Sequence, residues 1–314
     1  MRRILFVKTS SLGDVVQHCP AVSDAARAQP GASIDWVVEE PFADIASMHA
    51  AVRRVIPVAM RRWRRALWRP SVWREIAQFR REVAAERYDA VIDSQGLLKS
   101  AVLCTCALGT KHGLDPSSAR EPVAARFYDV VHAVPKAMHA VERNRLLTAK
   151  ALGYPVQGPV DYGLRAALTK DPTDNLPMPD PYAVFLTMTS RDEKLWPQSR
   201  WVELGRALGM PVFIPWGSTA ERTRAELIAA GIGNATVPSR MSLPALGKLL
   251  GKADLVIGLD TGLTHLAAAL GVPTVGIYCG SNPALNGLHG AAHARNAGNA
   301  GRPPSVPEVL KAMD

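Results

Sequence analysis

Short apolar runs alternate with helix-forming stretches along nearly the whole chain, and the alternation occurs twice. In the first half, strand-like runs lie at Ile4–Val7, Ile34–Val38, Ala90–Asp93 and Val130–Val134, with helical patterns at Val15–Arg27, Val72–Ala85, Leu97–Leu108 and Ala140–Leu152. In the second, strands are expected at Ala183–Leu186, Val212–Ile214, Leu255–Gly258 and Thr274–Ile277. Helices are expected near Trp201–Leu208, Ala220–Ala229, Leu243–Leu250 and Leu263–Leu270. A strand followed by a helix and another strand closes as a right-handed crossover, which builds parallel sheets covered on both faces. With 314 residues, the chain has room for two such units of roughly 150 residues each. The stretch from Gly153 to Pro181, dense in Pro, Gly and Asp, is the expected join, giving domains 1–160 and 161–314. The Gly- and Ala-rich segment Gly287–Gly301 is expected to be loosely ordered. The final helix, Val306–Met313, is expected to pack back on the first domain. Open α/β sheets bind ligands beyond the carboxyl ends of their strands, so two of them imply a cleft lined by strand-end loops.

Charge is distributed unevenly. The net charge is +9; residues 1–170 hold 25 Lys and Arg against 16 Asp and Glu, whereas the remainder holds 12 of each. Between Arg53 and Arg81, ten arginines face one acid, Glu75, and Trp63, Trp68 and Trp73 are interleaved. Arg with Trp on a short amphipathic stretch suits an anionic lipid surface, because Trp favours the interface and Arg pairs with phosphate. No nucleic-acid-binding motif accompanies the charge, so nucleic acid is not an expected partner. Cys19, Cys104, Cys106 and Cys279 are too scattered for a disulfide framework and lack zinc-site spacing, so they are expected to be small buried thiols. The apolar run after Met1 is too short for a signal peptide, and no run reaches the ~18 residues of a spanning helix. The chain is expected to be cytoplasmic.

The strand-end loops carry the chemistry. After Ile4–Val7 comes KTSSLGDVVQHCP, with one glycine and an acid, Asp14, where a phosphate loop would need several glycines and no carboxylate. Helix capping accounts for Asp14 as well as a functional role does. In LDTGLTH, Asp260, Thr261 and Gly262 open a helix whose unpaired N–H groups can seat a diphosphate, and His265 follows one turn later. Asp260 can accept from sugar hydroxyls and Thr261 can donate. TMTSRDEKLWP supplies Thr189, Ser190 and a cation, Lys194, able to neutralise a leaving diphosphate. FIPWGSTAER places Glu221 to accept from a ribose, and PSRMSL offers Met241 to pack on a base. Neither G-x-G-x-x-G nor G-x-x-x-x-G-K-[ST] is present, which removes the main support for an oxidoreductase or a P-loop protein, and no D-x-D pair offers to hold a metal.

KTSSLGDVVQHCPAV, YDAVIDSQGLLKSA, TSRDEKLWP and DTGLTHLAAALGVPTVGIY together resemble the bacterial ADP-heptose:lipopolysaccharide heptosyltransferases, glycosyltransferase family 9. The KTSSLGD and DEKLWP versions, with RRWRR and SSAREP between them, resemble the type I branch more than type II. The resemblance implies a GT-B α/β fold, two Rossmann-like doubly wound domains facing a central cleft. It also implies inverting transfer of L-glycero-D-manno-heptose from ADP-L-glycero-β-D-manno-heptose to the first Kdo of Kdo2-lipid A, with no cofactor and no obligatory metal. By the same resemblance Asp14 is the general base. Thr189, Ser190, Lys194, Glu221, Met241, Asp260, Thr261, Gly262 and His265 hold the donor, while Ser11, Gly13, Arg61, Arg62, Arg65 and Arg120 face the acceptor. The enzyme is then peripheral on the cytoplasmic face of the inner membrane. The chain departs from the family after Tyr278, where CGSNPALNGLHGAAHARNAGNAG replaces a Gly-Pro-Thr turn. A type II or other family-9 transferase, and a non-catalytic basic membrane-binding protein, are the alternative readings.

Overall fold

The computed structural model describes residues 2–164, 178–189 and 191–313. The chain divides into two compact units, Met1–Leu164 and Arg165–Asp314, a boundary four residues beyond the expected one. Part of the expected linker lies outside the described residues.

The first unit is a six-stranded parallel sheet of β1 (Arg3–Val7), β2 (Ser33–Glu39), β3 (Val52–Val58), β4 (Ala90–Asp93), β5 (Lys111–Leu114) and β6 (Val130–His132), in spatial order β3-β2-β1-β4-β5-β6. The second contains β7 (Ala183–Leu186), β8 (Val212–Phe213), β9 (Ala235–Thr236), β10 (Leu255–Leu259), β11 (Thr274–Tyr278) and β12 (Ala294–Gly298), in order β12-β11-β10-β7-β8-β9 and again all parallel. Each unit therefore winds outward from its first strand, reverses, and winds out the other way. Central strands are covered on both faces, which is why Ile4, Leu5 and Phe6 of β1 and Val256, Ile257 and Leu259 of β10 are completely buried. The reversal falls between β1 and β4 in the first unit and between β7 and β10 in the second. At such a point neighbouring strand-end loops diverge and leave a crevice.

Several expectations are corrected. The Val15–Arg27 pattern is two helices, Leu12–Val16 and Cys19–Ala28, the second carrying Pro20 in its first turn. The stretch Arg53–Arg81 is not one amphipathic element: it holds β3, a short helix Met60–Trp63 and a longer helix Pro70–Ala84. The supposedly loose segment 287–301 contains β12, which pairs with β11 from Thr274↔Ala294 to Tyr278↔Gly298. Asn296 ties that strand down by accepting from the Leu288 N–H (2.9 Å) and donating to the Leu288 carbonyl (2.9 Å). Gly298, at φ +83°, has no room for a side chain beside the Tyr278 carbonyl. The final helix, Val306–Lys311, joins the second unit's own core: Val306 and Val309 sit with Trp196 and Trp201, and the Trp196 indole donates to the Pro304 carbonyl (2.8 Å). All four cysteines are free; Cys19, Cys104 and Cys279 are buried and Cys106 is partly so. Among the described residues no helix is long and apolar enough to cross a membrane.

Candidate active site

At the first unit's reversal, the loop after β1 lies against the loop after β4. Gln95 holds the two together: its Oε1 accepts from the N–H groups of Thr9 (3.0 Å) and Ser10 (3.2 Å), and its Nε2 donates to the Ser10 carbonyl. Gln95 is held in turn by buried Asp93, whose carboxyl accepts from the Gln95 N–H (2.8 Å) and from the Tyr128 hydroxyl (2.7 Å). Fixed in this way, the loop opens the helix Leu12–Val16. Ser11 is its N-cap and Asp14 occupies the third position, accepting from the Ser11 N–H (2.8 Å). Asp14 therefore caps, and does more: its other oxygen accepts from Arg120 (3.2 Å) at the edge of a cavity that Lys8, Arg143 and Asn144 also line.

The electrostatics of this cavity are lopsided. Lys8 is buried and donates to the Ser94 carbonyl (3.0 Å); burial, only partly offset by Asp14, pushes its pKa down to about 8. Burial and the neighbouring Arg120 also lower Arg143, whose Nε is buried without a hydrogen-bond partner among the described residues. Burial acts against the Asp14 charge most strongly. Lys8 and Arg120, followed by the Ser11 bonds, outweigh it and hold the carboxyl below its ordinary range. Three cations thus surround one carboxylate that is ionised at neutral pH.

The second unit's reversal brings the loop after β7 against the loop after β10. Gly258 in β10 lets the following helix start close to the sheet, since a side chain there would run into Thr264 and Leu186. Thr264 then donates to the Leu259 carbonyl (2.6 Å), fixing the turn. The helix Gly262–Ala269 begins after Thr261, an extended N-cap whose hydroxyl makes no capping bond, so among the described residues the cap supplies no side-chain acceptor to the leading N–H groups. Beside this helix end Asp260 accepts from Lys194 (2.6 Å) and Ser281 (2.6 Å) through Oδ2, while Oδ1 faces His265 Nε2 at 3.5 Å. Burial opposes the Asp260 charge, but these three partners hold its carboxyl well below the ordinary range. Thr189 reaches the Asp260 carbonyl at 3.5 Å.

The protein-family model described as "Glycosyltransferase family 9 (heptosyltransferase)" matches residues 76–305. The chain belongs to glycosyltransferase family 9. Among curated relatives, it is 48% identical over 296 residues to lipopolysaccharide heptosyltransferase 1 of Escherichia coli K12, covering 92% of this chain and 91% of that one. It is 50% identical over 296 residues to the protein of the same name from Pseudomonas aeruginosa, covering 92% and 81%. Of solved structures, E. coli heptosyltransferase WaaC with ADP superposes with a TM-score of 0.85 at 45% identity, covering 99% of this chain and 96% of that one. E. coli ADP-heptose lps heptosyltransferase II matches with a TM-score of 0.78 at 19% identity, covering 100% and 97%, a likeness of fold alone. This family-9 chain is a glycosyltransferase built from the two parallel-sheet α/β domains of the GT-B class.

The remaining expected residues come from both units. Glu221 stands at the third position of the helix Thr219–Ile232, and its Oε2 accepts from the N–H groups of Gly217 (2.7 Å) and Ser218 (3.3 Å). Met241 precedes the helix Leu243–Gly251, and Gly13 lies inside the helix that presents Asp14. Ser190 lies outside the described residues. Arg61 rests over the Phe42 ring (5.6 Å), Arg62 is tied to Glu40 (3.1 Å) and Glu75 (2.8 Å), and Arg65 is exposed in the turn that follows. Lys8, Ser94, Gln95, Arg143 and Ser281 were not anticipated. Lys8 stands in the quoted KTSSLGD run and Gln95 in DSQGLL, but nothing local says that the two runs are adjacent.

Proposed function

We propose that this family-9 glycosyltransferase transfers L-glycero-D-manno-heptose from ADP-heptose to the first Kdo of Kdo2-lipid A, with inversion at the anomeric carbon. The observation that carries this reading is the pair of unlike reversal-point sites: an ionised carboxylate among surplus cations in one unit, and a cation beside an uncapped helix start in the other. Asp14 takes the proton of the acceptor hydroxyl as its oxygen attacks the anomeric carbon. The bond from that carbon to the diphosphate oxygen breaks, and Lys194 with the N–H groups at Gly262 meets the charge left on ADP. Thr189, Ser190, Glu221, Met241, Asp260, Thr261 and His265 hold the donor. Ser11, Gly13, Arg61, Arg62, Arg65 and Arg120 face the acceptor, and the surplus positive charge around Asp14 suits an acidic sugar.

The names of the relatives support the donor and the branch. The E. coli WaaC structures carry ADP and ADP-2-deoxy-2-fluoro heptose, and relatives at 48–50% identity are named heptosyltransferase 1, whereas the heptosyltransferase II structure is 19% identical. The lipid nature of the acceptor places the enzyme at the cytoplasmic face of the inner membrane as a peripheral protein. The test is ADP release from ADP-heptose with and without Kdo2-lipid A. Release that depends on this acceptor is expected; equal release without it, or release only with an already heptosylated acceptor, would overturn the assignment.

A further inference from the structure

Of the ten arginines between Arg53 and Arg81, those nearest the sheet are already neutralised. Arg53 pairs with Asp35 (2.7 Å) and Glu86 (2.9 Å), Arg54 with the same buried Asp35 (2.9 Å), and Arg62 with Glu40 and Glu75. Trp63 is also withdrawn: it is buried against Phe79 and donates to Glu75 (2.8 Å). What remains is the corner joining the short helix Met60–Trp63 to the helix Pro70–Ala84. Buried Trp63 on one side and buried Val72 on the other anchor this corner in the core. Between and beside those anchors the side chains face outward. Trp68 is 75% exposed, Trp73 58% and Leu67 45%. Arg64, Arg65, Arg69 and Arg74 are exposed and make no ion pair among the described residues. The Trp73 indole N–H donates to the Leu67 carbonyl (2.8 Å), so that ring stands as part of the corner.

Burying no charge and repelling no anion, such a corner matches a surface that is apolar below and anionic above. We propose that it is the membrane-docking element of this enzyme: Leu67, Trp68 and Trp73 enter the headgroup boundary of an anionic glycerophospholipid bilayer while Arg64, Arg69 and Arg74 pair with its phosphates. The proposal rests on the peripheral-membrane reading above and assigns it to a corner of about eleven residues. Arg53, Arg54 and Arg62 have no part in it, since each is already paired with acidic side chains of the protein.

The test uses the full chain and sedimentation with vesicles free of any acceptor, phosphatidylcholine alone or with phosphatidylglycerol, at about 0.1 M salt. Partition onto the anionic vesicles is expected, with an indole emission blue shift that phosphatidylcholine alone does not produce. Trp68→Ser with Trp73→Ser is expected to weaken partition at least tenfold, and Arg69→Gln or Arg74→Gln about fivefold each. All of these variants should retain turnover on a water-soluble, delipidated acceptor sugar. Wild-type partition that the tryptophan and arginine variants leave unchanged would overturn the corner while sparing peripheral attachment. An absence of wild-type partition unless the acceptor is in the vesicle would make the surface an acceptor-recognition element and overturn bilayer docking. Equal, tryptophan-dependent binding to duplex DNA would overturn the lipid assignment too. Loss of heptose transfer to the soluble acceptor by the wild type would instead count against the proposed reaction, a separate failure.

Discussion

Each reversal point carries an aspartate, on opposite sides of the switch: Asp14 follows the first strand of its unit and Asp260 the fourth strand of the other, and the two are surrounded differently. Asp14 in the first unit accepts from the Ser11 N–H, the Ser11 hydroxyl (3.4 Å) and the Arg120 guanidinium, and the Lys8 charge acts on it more strongly than any of these. Asp260 in the second has Lys194 and Ser281 on one oxygen and His265 facing the other. Both carboxyls are held ionised, the first largely by nearby charge and the second by direct bonds. A carboxylate held by charge can receive a proton at an oxygen that also meets a substrate. One enclosed by three side chains instead fixes the cations around it. The difference supports the proposed role of Asp14 in proton transfer and suits Asp260 to the role of a hub that aims Lys194 and His265.

The sharpest break would come from Asp14→Asn. The amide keeps the size and can still meet Arg120 but cannot take a proton, so kcat is expected to fall by about a thousandfold, within the usual reach of general-base catalysis. ADP affinity, measured by calorimetry, should stay within about twofold. Near-normal turnover would remove Asp14 from the base role and erase the distinction.

Lys194→Ala probes the other side. Removing a cation aimed at a leaving diphosphate is expected to cost about a hundredfold in kcat. Asp260→Asn should reproduce part of this loss by freeing Lys194 and His265 from their shared anchor, and should also lower the melting temperature, because Lys194 would then be half-buried without its counter-charge. Full stability with full turnover in Asp260→Asn would refute the hub assignment.

The pH profile separates the two sites at lower cost. The lowered Asp14 pKa means that the base stays ionised as pH falls through the ordinary carboxylate range, so kcat/KM should hold on that side. On the alkaline side Lys8 loses its proton near pH 8, and with it one of the two charges that hold Asp14 ionised and mark the cavity as anion-seeking. A decline in kcat/KM for the acceptor of roughly tenfold above pH 8 is expected, absent in Lys8→Met, which should be low throughout. For stability the sign is opposite. Lys8 is neutralised more easily in the folded chain than in the unfolded one, so between about pH 8 and its ordinary value the unfolded state binds more protons and this group's contribution rises with pH.

How much of this was legible in the chain follows from what each residue depends on. β1 and β10 were legible because strands covered on both faces must be apolar throughout. β3 and β12 were not, because their residues do not form an apolar run: β3 carries Arg53, Arg54 and Pro57, with both arginines turned back onto Asp35 of β2, and β12 reads Ala-Arg-Asn-Ala-Gly. Asp260 was legible because it follows an apolar run directly, and Asp14 because it is the acid in the turn between an apolar run and a helical pattern. Gln95, Lys8 and Ser281 acquire their roles only once β1 lies beside β4 and β10 beside β7, and strand order is a property of the whole sheet. The arginine-rich stretch misled for the same reason: its charges looked equivalent until their distances to buried acids were known.

The finest discrimination concerns Glu221, which caps a helix and is proposed to hold a ribose. Its Oε2 is taken by the Gly217 and Ser218 N–H groups, so only Oε1 can serve the donor. Glu221→Gln keeps an acceptor oxygen for the cap, since glutamine serves in capping boxes as well as glutamate. Stability should therefore change by no more than ~0.3 kcal/mol, while loss of the carboxylate should weaken donor binding about threefold. Glu221→Ala removes both functions and should cost about 1 kcal/mol of stability together with about tenfold in donor affinity. A glutamine variant with lost stability and intact donor affinity would show that Glu221 only caps. The donor side would then lack an acid for the ribose, leaving Asp260 as the sole carboxylate among the proposed donor-binding residues, already enclosed by its own three partners.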